Sequence, residues 1–436
     1  MRRLKTAALV VLAMTCSVAM AHADTVLVQW QTNLRPPDLE GITKLVNRFH
    51  EIRPDITIKI EQTPWSTHPQ KIMAAFNAGT GLPDVGRLGD VGQAANIGFV
   101  KPLDGYVDAA WKATLVDNAW ADVTFAREGE QVAHIWAIPK MLATEVWFYN
   151  KTMFKAVGLD PDKPPQTVDE FREAAKKLTR DSSGSGHIDQ WGVDLTAGAE
   201  GGPWRQYVSA AKAFGGRLVA SPYAASKPDE PIVWNSPATV AAFKWLVSLY
   251  TDGYSPPSTP SDSVRDVANN FRAGRVAMSF MGPWEIEATR QVFKKNGWEF
   301  GMFRFPAGPA GRADFMYVGA LGMFSQTKHD KEVIDYLRFY TSAEGLGLYM
   351  KTNGMIPANK QALADPYYAD DPNYKTFLDT IANADLPAPK WMTLRGAGDN
   401  FDSVWTPIYQ KMLAHQVTVE DGVKAMQASL VKVLKE

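Results

Sequence analysis

The spacing of apolar residues predicts alternating strands and helices from residue 25 onward. Thr25–Trp30 is mostly apolar and predicts a strand, and Asp38–Ile52 carries apolar residues at helical spacing. Ile56–Ile60 alternates apolar and polar residues, which is typical of a half-buried strand, and Pro69–Ala78 predicts a second helix. This order predicts an α/β fold with a mostly parallel sheet flanked by helices.

Ligands of such sheets bind beyond the carboxyl ends of the strands. The rule selects three loops as candidate ligand contacts: Gln31–Asn33, Thr63–Thr67 and Leu88–Gly92. A second unit is predicted to begin after Pro139, with a strand at Val146–Tyr149. In this unit Thr167 followed by Glu170 three residues later predicts a capping box and a helix to about Leu178.

Phe271–Arg290 has an unusual order of features. The short apolar run Val276–Met281 predicts a buried strand, and it leads directly into Gly282, Pro283 and Trp284 before a helix start. A strand that ends in a turn and presents a Trp suits a cleft lined by aromatic rings. Packing of Trp284 in the core is the alternative.

The first residues predict export. Met1–Ala23 combines a basic start, the apolar run Thr6–Met20 and a small-residue cleavage site, which is typical of a cleavable signal peptide and too short to span a membrane. Its Cys16 is the only cysteine of the chain, and the preceding residues match lipidation signals poorly, so we expect cleavage without lipidation. We therefore expect a periplasmic protein without disulfides.

Length and charge narrow the function further. The 436 residues favour two domains or one large bilobed unit. A formal net charge of −1, with no basic block, argues against nucleic acid as a partner. The seven His residues are scattered, the Gly-x-Ser-x-Gly motif is absent, and Gly79–Gly81 lacks a phosphate-binding lysine. We therefore expect no metal, no cofactor and no catalytic residues.

Three acids keep an enzymatic alternative open. Asp90, Glu145 and Glu285 could supply the two carboxylates of a glycosidase, although each is better explained by capping or solvation. Aromatic residues next to turn signals favour binding instead. Four tryptophans share that position: Trp65, Trp204, Trp284 and Trp391. Flat rings cover the apolar face of a pyranose, while planar polar side chains meet its hydroxyls.

Several segments resemble the extracellular solute-binding proteins of ATP-driven (ABC) importers, in the carbohydrate-binding class related to maltose-binding protein. The best match is FYNKTMFKAVGLD at 148–160, continuing through Pro164-Pro165 to Thr167–Phe171. FHEIRP at 49–54, GLPDV at 81–85, the stretch from Phe271 to Trp284 and GMIP at 354–357 match as well. The resemblance covers essentially the whole mature chain, and it is specific for the family rather than for the ligand.

The resemblance implies a two-lobed periplasmic binding protein fold with the ligand in the interlobe cleft. After the signal peptide at 1–23, the N-terminal lobe would be 24–142 plus 319–357, and the C-terminal lobe 143–318 plus 358–436. The hinge would involve Ala143–Thr144 and Val318–Ala320. A monomer is expected.

The resemblance also implies which residues line the cleft. With the candidate Trp65, these are Gln31, Asn33, Asp90, Thr144, Trp204, Gly282 and Trp284. The chain departs from maltose-type proteins at Ala143, where they have an acid, and near Phe401–Asp402, where they have a late stacking Trp. Arg395, in LRGAGDNF at 394–401, resembles the position of an arginine in the glycerol-3-phosphate binders.

The function expected from the residues and the resemblance is capture of a sugar or oligosaccharide by hinge closure. The protein would then deliver the solute to inner-membrane ABC permease subunits. Two alternatives remain: a binder of glycerol-3-phosphate or a related phosphorylated polyol, and a secreted glycoside hydrolase.

Overall fold

The computed structural model describes residues 25–32, 34–64, 67–198, 203–386 and 388–435. The predicted signal peptide Met1–Ala23 and the candidates Asn33 and Trp65 lie outside these ranges. Within the described residues, no helix is both long and apolar enough to cross a membrane.

The described strands and helices alternate along the first part of the chain, and helices dominate the last part. The strands are β1 Thr25–Thr32, β2 Ile56–Thr63, β3 Val85–Arg87, β4 Thr124–Phe125, β5 His134–Ile135, β6 Ile138–Ala143, β7 Val146–Asn150, β8 Trp191–Asp194, β9 Val276–Met281, β10 Phe300–Phe303, β11 Tyr317–Met323 and β12 Ile356–Pro357. The helices are α1 Pro36–Ile52, α2 His68–Asn77, α3 Val91–Ile97, α4 Ala109–Thr114, α5 Lys151–Ala156, α6 Val168–Leu178, α7 Trp204–Phe214, α8 Pro237–Thr251, α9 Val264–Arg272, α10 Ile286–Asn296, α11 Asp330–Tyr340, α12 Ala343–Asn353, α13 Lys360–Leu363, α14 Pro366–Ala369, α15 Pro372–Ala382, α16 Lys390–Leu394, α17 Ala397–Asn400, α18 Thr406–Leu413 and α19 Val419–Lys435. Pro283–Glu285 forms a 3-10 turn, and Phe401–Trp405 a π-helical turn.

Two sheets hold the site. The larger has the order β12-β6-β11-β3-β1-β2, and the smaller has the order β10-β7-β9-β8. The predicted α/β two-lobed fold is confirmed, with one correction: the sheets are mixed rather than mostly parallel. β1 pairs with β2 and β3 in parallel, as β8 does with β9, whereas β11 pairs antiparallel with both β3 and β6.

The antiparallel pairs arise where the chain crosses between the sheets. β6 ends at Ala143, and Thr144–Glu145 lead directly into β7 of the smaller sheet. β11 brings the chain back, so it begins at the edge where β6 ends and must run the opposite way. In the smaller sheet β9 is antiparallel to β7, so it ends at Met281, opposite Val146 at the start of β7.

Strand β6 is a central strand that the sequence does not reveal. All six of its residues are buried, although it contains Pro139 and Lys140. Proline is unusual in a central strand because it cannot donate a ladder hydrogen bond. The pairing of β6 with β11 shifts register here, since Gly319 pairs with Met141 and Ala320 with Pro139, which leaves Lys140 as the extra residue of a bulge in β6 next to the proline.

The local elements near the N-terminus follow their predictions. Helix α1 and strands β1 and β2 are confirmed, each with bounds extended by a few residues. Thr167 caps α6 by accepting a hydrogen bond from the Glu170 amide at 3.2 Å. The other half of the predicted capping box is displaced, since the Glu170 carboxylate accepts from the amide of Gln166 instead.

Each sheet has its own hydrophobic core, and a third group lies beside the crossing. Leu27, Phe49 and Trp136 belong to the core of the larger sheet, whereas Trp147 and Trp405 belong to that of the smaller sheet. The third group joins Leu142, Val318 and Ile356 of the larger sheet to Phe148 and Tyr374. The third group therefore packs residues of both sheets together beside the crossing.

Candidate ligand-binding site

The crossing places a buried carboxylate between the two sheets. Glu145 directly precedes β7 and is 7% exposed. Its Oε1 lies 3.4 Å from Nε of Arg205, and the Tyr317 hydroxyl donates to the same oxygen at 3.4 Å. Burial raises the pKa of Glu145 to about 7 although Arg205 opposes the rise. Oε2 is buried without a hydrogen-bond partner within the described residues.

Aromatic rings surround Arg205. Its guanidinium lies 4.7 Å from the ring centre of Tyr317 and 5.0 Å from that of Trp204, both within cation–π range. Trp204 in turn packs 6.4 Å from Phe315 and 5.8 Å from Phe401. Trp204 is only partly buried, so part of this ring remains available to a ligand.

A small cavity adjoins the carboxylate. It measures about 20 Å³ and is lined by Glu145, Arg205, Gln206 and Phe280, among others. Both polar atoms of the Gln206 amide are buried without a partner in the described part of the chain. A cavity of this size is large enough for one water molecule, and Gln206 and Glu145 offer it hydrogen-bond partners.

The larger sheet supplies a second group of polar side chains. Arg87, at the end of β3, donates to the Thr32 hydroxyl at 3.3 Å, and the Gln31 amide donates to the Tyr340 hydroxyl at 3.2 Å. Lys140 of β6 is 1% exposed and lies 5.8 Å from the ring centre of Tyr340. Burial, with a further contribution from Arg87, lowers the pKa of Lys140 to about 7.

The Gly-Pro-Trp turn packs against the larger sheet. The Trp284 ring lies over Gly282 so closely that a Cβ there would be 2.2 Å from its Cη2. The Trp284 carbonyl accepts a hydrogen bond from Nη1 of Arg35 at 2.9 Å. The same guanidinium lies 3.7 Å from Glu285, which also pairs with Arg272. A turn that follows a strand of the smaller sheet thus contacts the start of α1.

Asp90 has a structural role and an electrostatic one. Its carboxylate caps α3 by accepting from the amides of Gly92 at 2.7 Å and Gln93 at 3.1 Å. Burial raises its pKa against the attraction of Lys390. Lys390 itself pairs with Asp122 at 3.1 Å.

Arg395 contacts protein groups on two sides. It donates to the Leu434 carbonyl at 2.7 Å and to Glu128 at 3.1 Å. These bonds tie α16 to the C-terminal helix α19 and to the loop before β5. A contact of Arg395 with an anionic ligand stays a prediction.

A larger cavity, about 320 Å³, lies beside the aromatic group. Phe315 borders it, together with Tyr223, Trp234 and Lys212. Lys212 is engaged there with Asp385 at 3.1 Å and with the Asp314 carbonyl at 2.7 Å. Because Phe315 also packs on Trp204, the cavity adjoins the rings near the crossing.

The structure places the site residues predicted from the sequence in different parts of the molecule. Gln31 and Thr144 are buried at the sheet edge and the crossing, with Thr144 donating to the Glu145 carbonyl at 3.3 Å. Trp204 lies with Glu145 at the crossing, whereas Gly282 and Trp284 form the turn over α1. Asp90 lies instead near Lys390.

Four residues of this site are not selected as ligand contacts by the sequence: Arg87, Lys140, Arg205 and Tyr317. The sequence suggests Glu145 only as a possible catalytic acid. The sequence signal for two of the site residues is their position next to a candidate: Arg205 follows Trp204, and Glu145 follows Thr144. The local sequence does not show which side chains meet at the crossing, because their directions depend on how the edges of the two sheets come together.

Comparison with known proteins gives consistent matches. The family model for bacterial extracellular solute-binding proteins matches residues 36–347. The maltotriose-binding protein of Pyrococcus abyssi is 25% identical over 395 residues, 86% of this chain and 76% of that protein. The sn-glycerol-3-phosphate-binding periplasmic protein of Escherichia coli K12 is 23% identical, with 87% of this chain and 88% of that protein covered. The acarbose-binding GacH receptor of Streptomyces glaucescens superposes with a TM-score of 0.79 at 21% identity, covering 95% of this chain and 99% of that one.

Proposed function

This chain belongs to the bacterial extracellular solute-binding protein family, and we propose that it captures a sugar or oligosaccharide for an ABC importer. The relatives named above bind maltotriose and acarbose, which supports a saccharide as the solute. The protein then presents the solute to inner-membrane permease subunits. It acts as a monomer without a cofactor.

One observation carries the proposal: the Arg205–Glu145 pair lies at the crossing, with the guanidinium against the rings of Trp204 and Tyr317. Rings of this kind cover the C–H face of a pyranose. The carboxylate and the guanidinium are planar, so each can meet two adjacent hydroxyls. Arg87 and the turn at Trp284 extend the same chemistry toward the larger sheet.

Binding proceeds by hinge closure. The lobes are 24–142 plus 319–357 and 143–318 plus 358–436, joined at Ala143–Thr144 and Val318–Ala320. A solute that contacts both lobes favours the closed form, because only that form offers both sets of contacts. No bond in the solute is broken. The acids considered for a glycosidase have other partners: Asp90 caps α3, Glu145 faces Arg205, and Glu285 pairs with Arg272.

The site of action is the periplasm. Removal of Met1–Ala23 releases the mature chain there, and no lipid anchor at Cys16 is needed. Membership of the extracellular solute-binding family supports a location outside the cell membrane, of which the periplasm is the specific case proposed.

The test is a calorimetric titration of the mature protein against neutral sugars, oligosaccharides, polyols and phosphorylated polyols. We expect at least one saccharide to bind below millimolar Kd, and Trp204→Ala to weaken it at least tenfold. Trp298→Ala is the matched control, because Trp298 is also partly buried but packs on Phe293, next to the end of β7 that is farthest from the crossing. The proposal fails if no saccharide binds below millimolar.

A further inference from the structure

The larger cavity, of about 320 Å³, is bordered on one side by helix α7. Trp204, Val208 and Lys212 are four residues apart, so their side chains follow one face of this helix. Trp204 begins that face beside Arg205 at the crossing, whereas Val208 and Lys212 border the cavity. A helix rises about 1.5 Å per residue, so the face is about 12 Å long from Trp204 to Lys212. This face therefore leads from the crossing into the cavity.

A second line of residues takes the same course. The ring centre of Tyr317 lies 4.7 Å from the Arg205 guanidinium, and Phe315, two residues earlier, borders the cavity. The rings of Tyr317 and Phe315 are stacked, with centres 6.4 Å apart and planes 14° from parallel. The ring centre of Phe315 is also 6.4 Å from that of Trp204. The aromatic group at the crossing therefore extends to the wall of the cavity.

The rest of the wall combines rings with polar groups. Tyr223 is partly buried, and Trp234 is 1% exposed. Nε1 of Trp234 is buried without a hydrogen-bond partner in the described part of the chain, although buried donors are normally paired. At the edge, Lys212 pairs with Asp385 at 3.1 Å, and Arg217 is exposed. Rings together with planar charged groups are the chemistry that binds a sugar ring.

The charges and the volume of the cavity favour a neutral occupant of limited size. Each of the three basic residues that border it already has a partner within the chain: Lys212 with Asp385, Arg217 with the Ala220 carbonyl, and Arg312 with Gln166. The cavity therefore has no cation reserved for an anionic group. Its volume is at the lower end of the range for ligand sites, roughly 300–1,000 Å³, which suits part of a solute.

We propose that the cavity is a subsite for a further sugar ring, so that the solute is a neutral oligosaccharide which runs from Trp204 along α7. This rests on the proposed function and narrows its substrate class. One ring lies at the crossing, against Trp204 and Arg205, and the next lies in the cavity that Tyr223 and Phe315 border. A monosaccharide fills only the first position and forgoes the contacts of the second.

Isothermal titration calorimetry with oligosaccharides of increasing length tests this preference. The ladders are α-1,4-linked glucose, β-1,4-linked glucose and β-1,4-linked mannose, each from the monosaccharide to the tetrasaccharide. We expect at least one ladder in which a longer member binds at least tenfold tighter than the monosaccharide.

Two substitutions assign that gain to the cavity. Tyr223→Ala and Arg217→Gln should each lower the affinity for the longer sugar at least fivefold, and that for the monosaccharide less than twofold. Their matched controls should change neither affinity. Tyr106→Ala removes an exposed ring that borders neither cavity, and Arg275→Gln changes an exposed arginine just before β9, at the end away from the crossing. Thermal unfolding checks that each variant folds, and either substitution suffices if the other does not fold.

Protection of an introduced thiol locates the longer sugar directly. Cys16, the only cysteine of the chain, lies in the predicted signal peptide, so protein expressed from Asp24 carries no other thiol. Ser221→Cys places one at the edge of the cavity, and Ser185→Cys in an exposed loop is the control. The longer sugar at saturation should slow alkylation of Ser221→Cys at least fivefold, and the monosaccharide less than twofold. Neither sugar should protect Ser185→Cys. Closure accompanies both sugars, so the difference reports occupation of the cavity.

Three results separate the claims. A monosaccharide that binds as tightly as every longer member of its ladder overturns the inference and leaves the proposed function intact. A length preference that survives both substitutions, or a longer sugar that leaves Ser221→Cys unprotected, overturns the assignment to this cavity. If no saccharide binds, the proposed function falls as well.

Discussion

Lys140 shows how a single buried residue sets pH dependence. Its pKa is lowered from 10.5 in solution to about 7 in the folded protein, chiefly by burial. Between these values the unfolded chain binds more protons than the folded one, so this residue's contribution to stability rises with pH from about 7 to 10.5 and is least favourable below 7. The ammonium thus opposes folding most at low pH.

We therefore predict that Lys140→Met stabilises the protein, by about 1–4 kcal/mol at pH 6 and by less at pH 9. Urea unfolding at both pH values measures this. Lys375→Met, an exposed lysine on α15, is the control and should change stability by less than about 0.5 kcal/mol. An equal gain at both pH values would contradict the lowered pKa.

A second prediction for a single residue concerns Gly282. An alanine Cβ would lie 2.2 Å from the Trp284 ring, while the backbone φ of −89° itself permits alanine. Gly282→Ala should therefore displace the ring and destabilise the protein by about 1–3 kcal/mol. Solute affinity should fall at least tenfold if Trp284 lines the cleft.

Gly347→Ala is the matched control for Gly282→Ala. It lies within α12, where an alanine Cβ would meet no atom of the described residues within 4 Å. Alanine should therefore stabilise the helix slightly and leave affinity unchanged. Denaturation and calorimetry on both variants measure the two effects. Unchanged affinity in Gly282→Ala would place Trp284 outside the binding surface.

At the scale of elements, helix α16 joins the two proposed lobes. Lys390 at its start pairs with Asp122, and the Leu394 carbonyl at its end accepts from Asn96 of α3 at 3.1 Å. Gly92 lies so close to α16 that a Cβ there would be 2.5 Å from the Thr393 hydroxyl. These contacts hold α3 and α16 together, so under the proposed hinge closure they would favour the closed arrangement independently of the solute.

Loss of this contact should therefore act equally on every solute. Lys390→Met should weaken binding by about three- to tenfold, with the same factor for two unrelated sugars, because it shifts the closed population rather than removing a solute contact. Calorimetry with both sugars measures the factor. Factors that differ more than threefold between the sugars would mean that Lys390 touches the solute.

Some of these elements can be predicted from the local sequence, and others cannot. The spacing of Ile42, Leu45 and Phe49 predicts α1 because all three face one core, and the Thr167 cap predicts the start of α6. Strand β6 is not predictable in this way, since Pro139 and Lys140 fit a central strand through a bulge at Lys140 that forms only when β6 pairs with β11. Likewise Trp204 is selected from its own turn, whereas the pairing of Arg205 with Glu145 joins residues 60 positions apart through the sheet crossing.

For the whole molecule, the central feature is the place where the chain crosses between the two sheets. Two mixed sheets with separate cores meet at Thr144–Glu145, and charged and aromatic side chains from both sides converge there. Sequence resemblance indicates the two-lobed fold as a whole, because the matching segments lie in both lobes. The identity of the solute depends on side chains that meet only after folding.

Native mass spectrometry of the protein purified from its host tests the central claim most directly, with the bound solute released and identified. We predict a bound saccharide that is retained by the wild type and by Arg275→Gln, and lost from the double variant Glu145→Gln, Arg205→Gln. A bound solute that is not a saccharide, or equal occupancy in the double variant, would contradict the account.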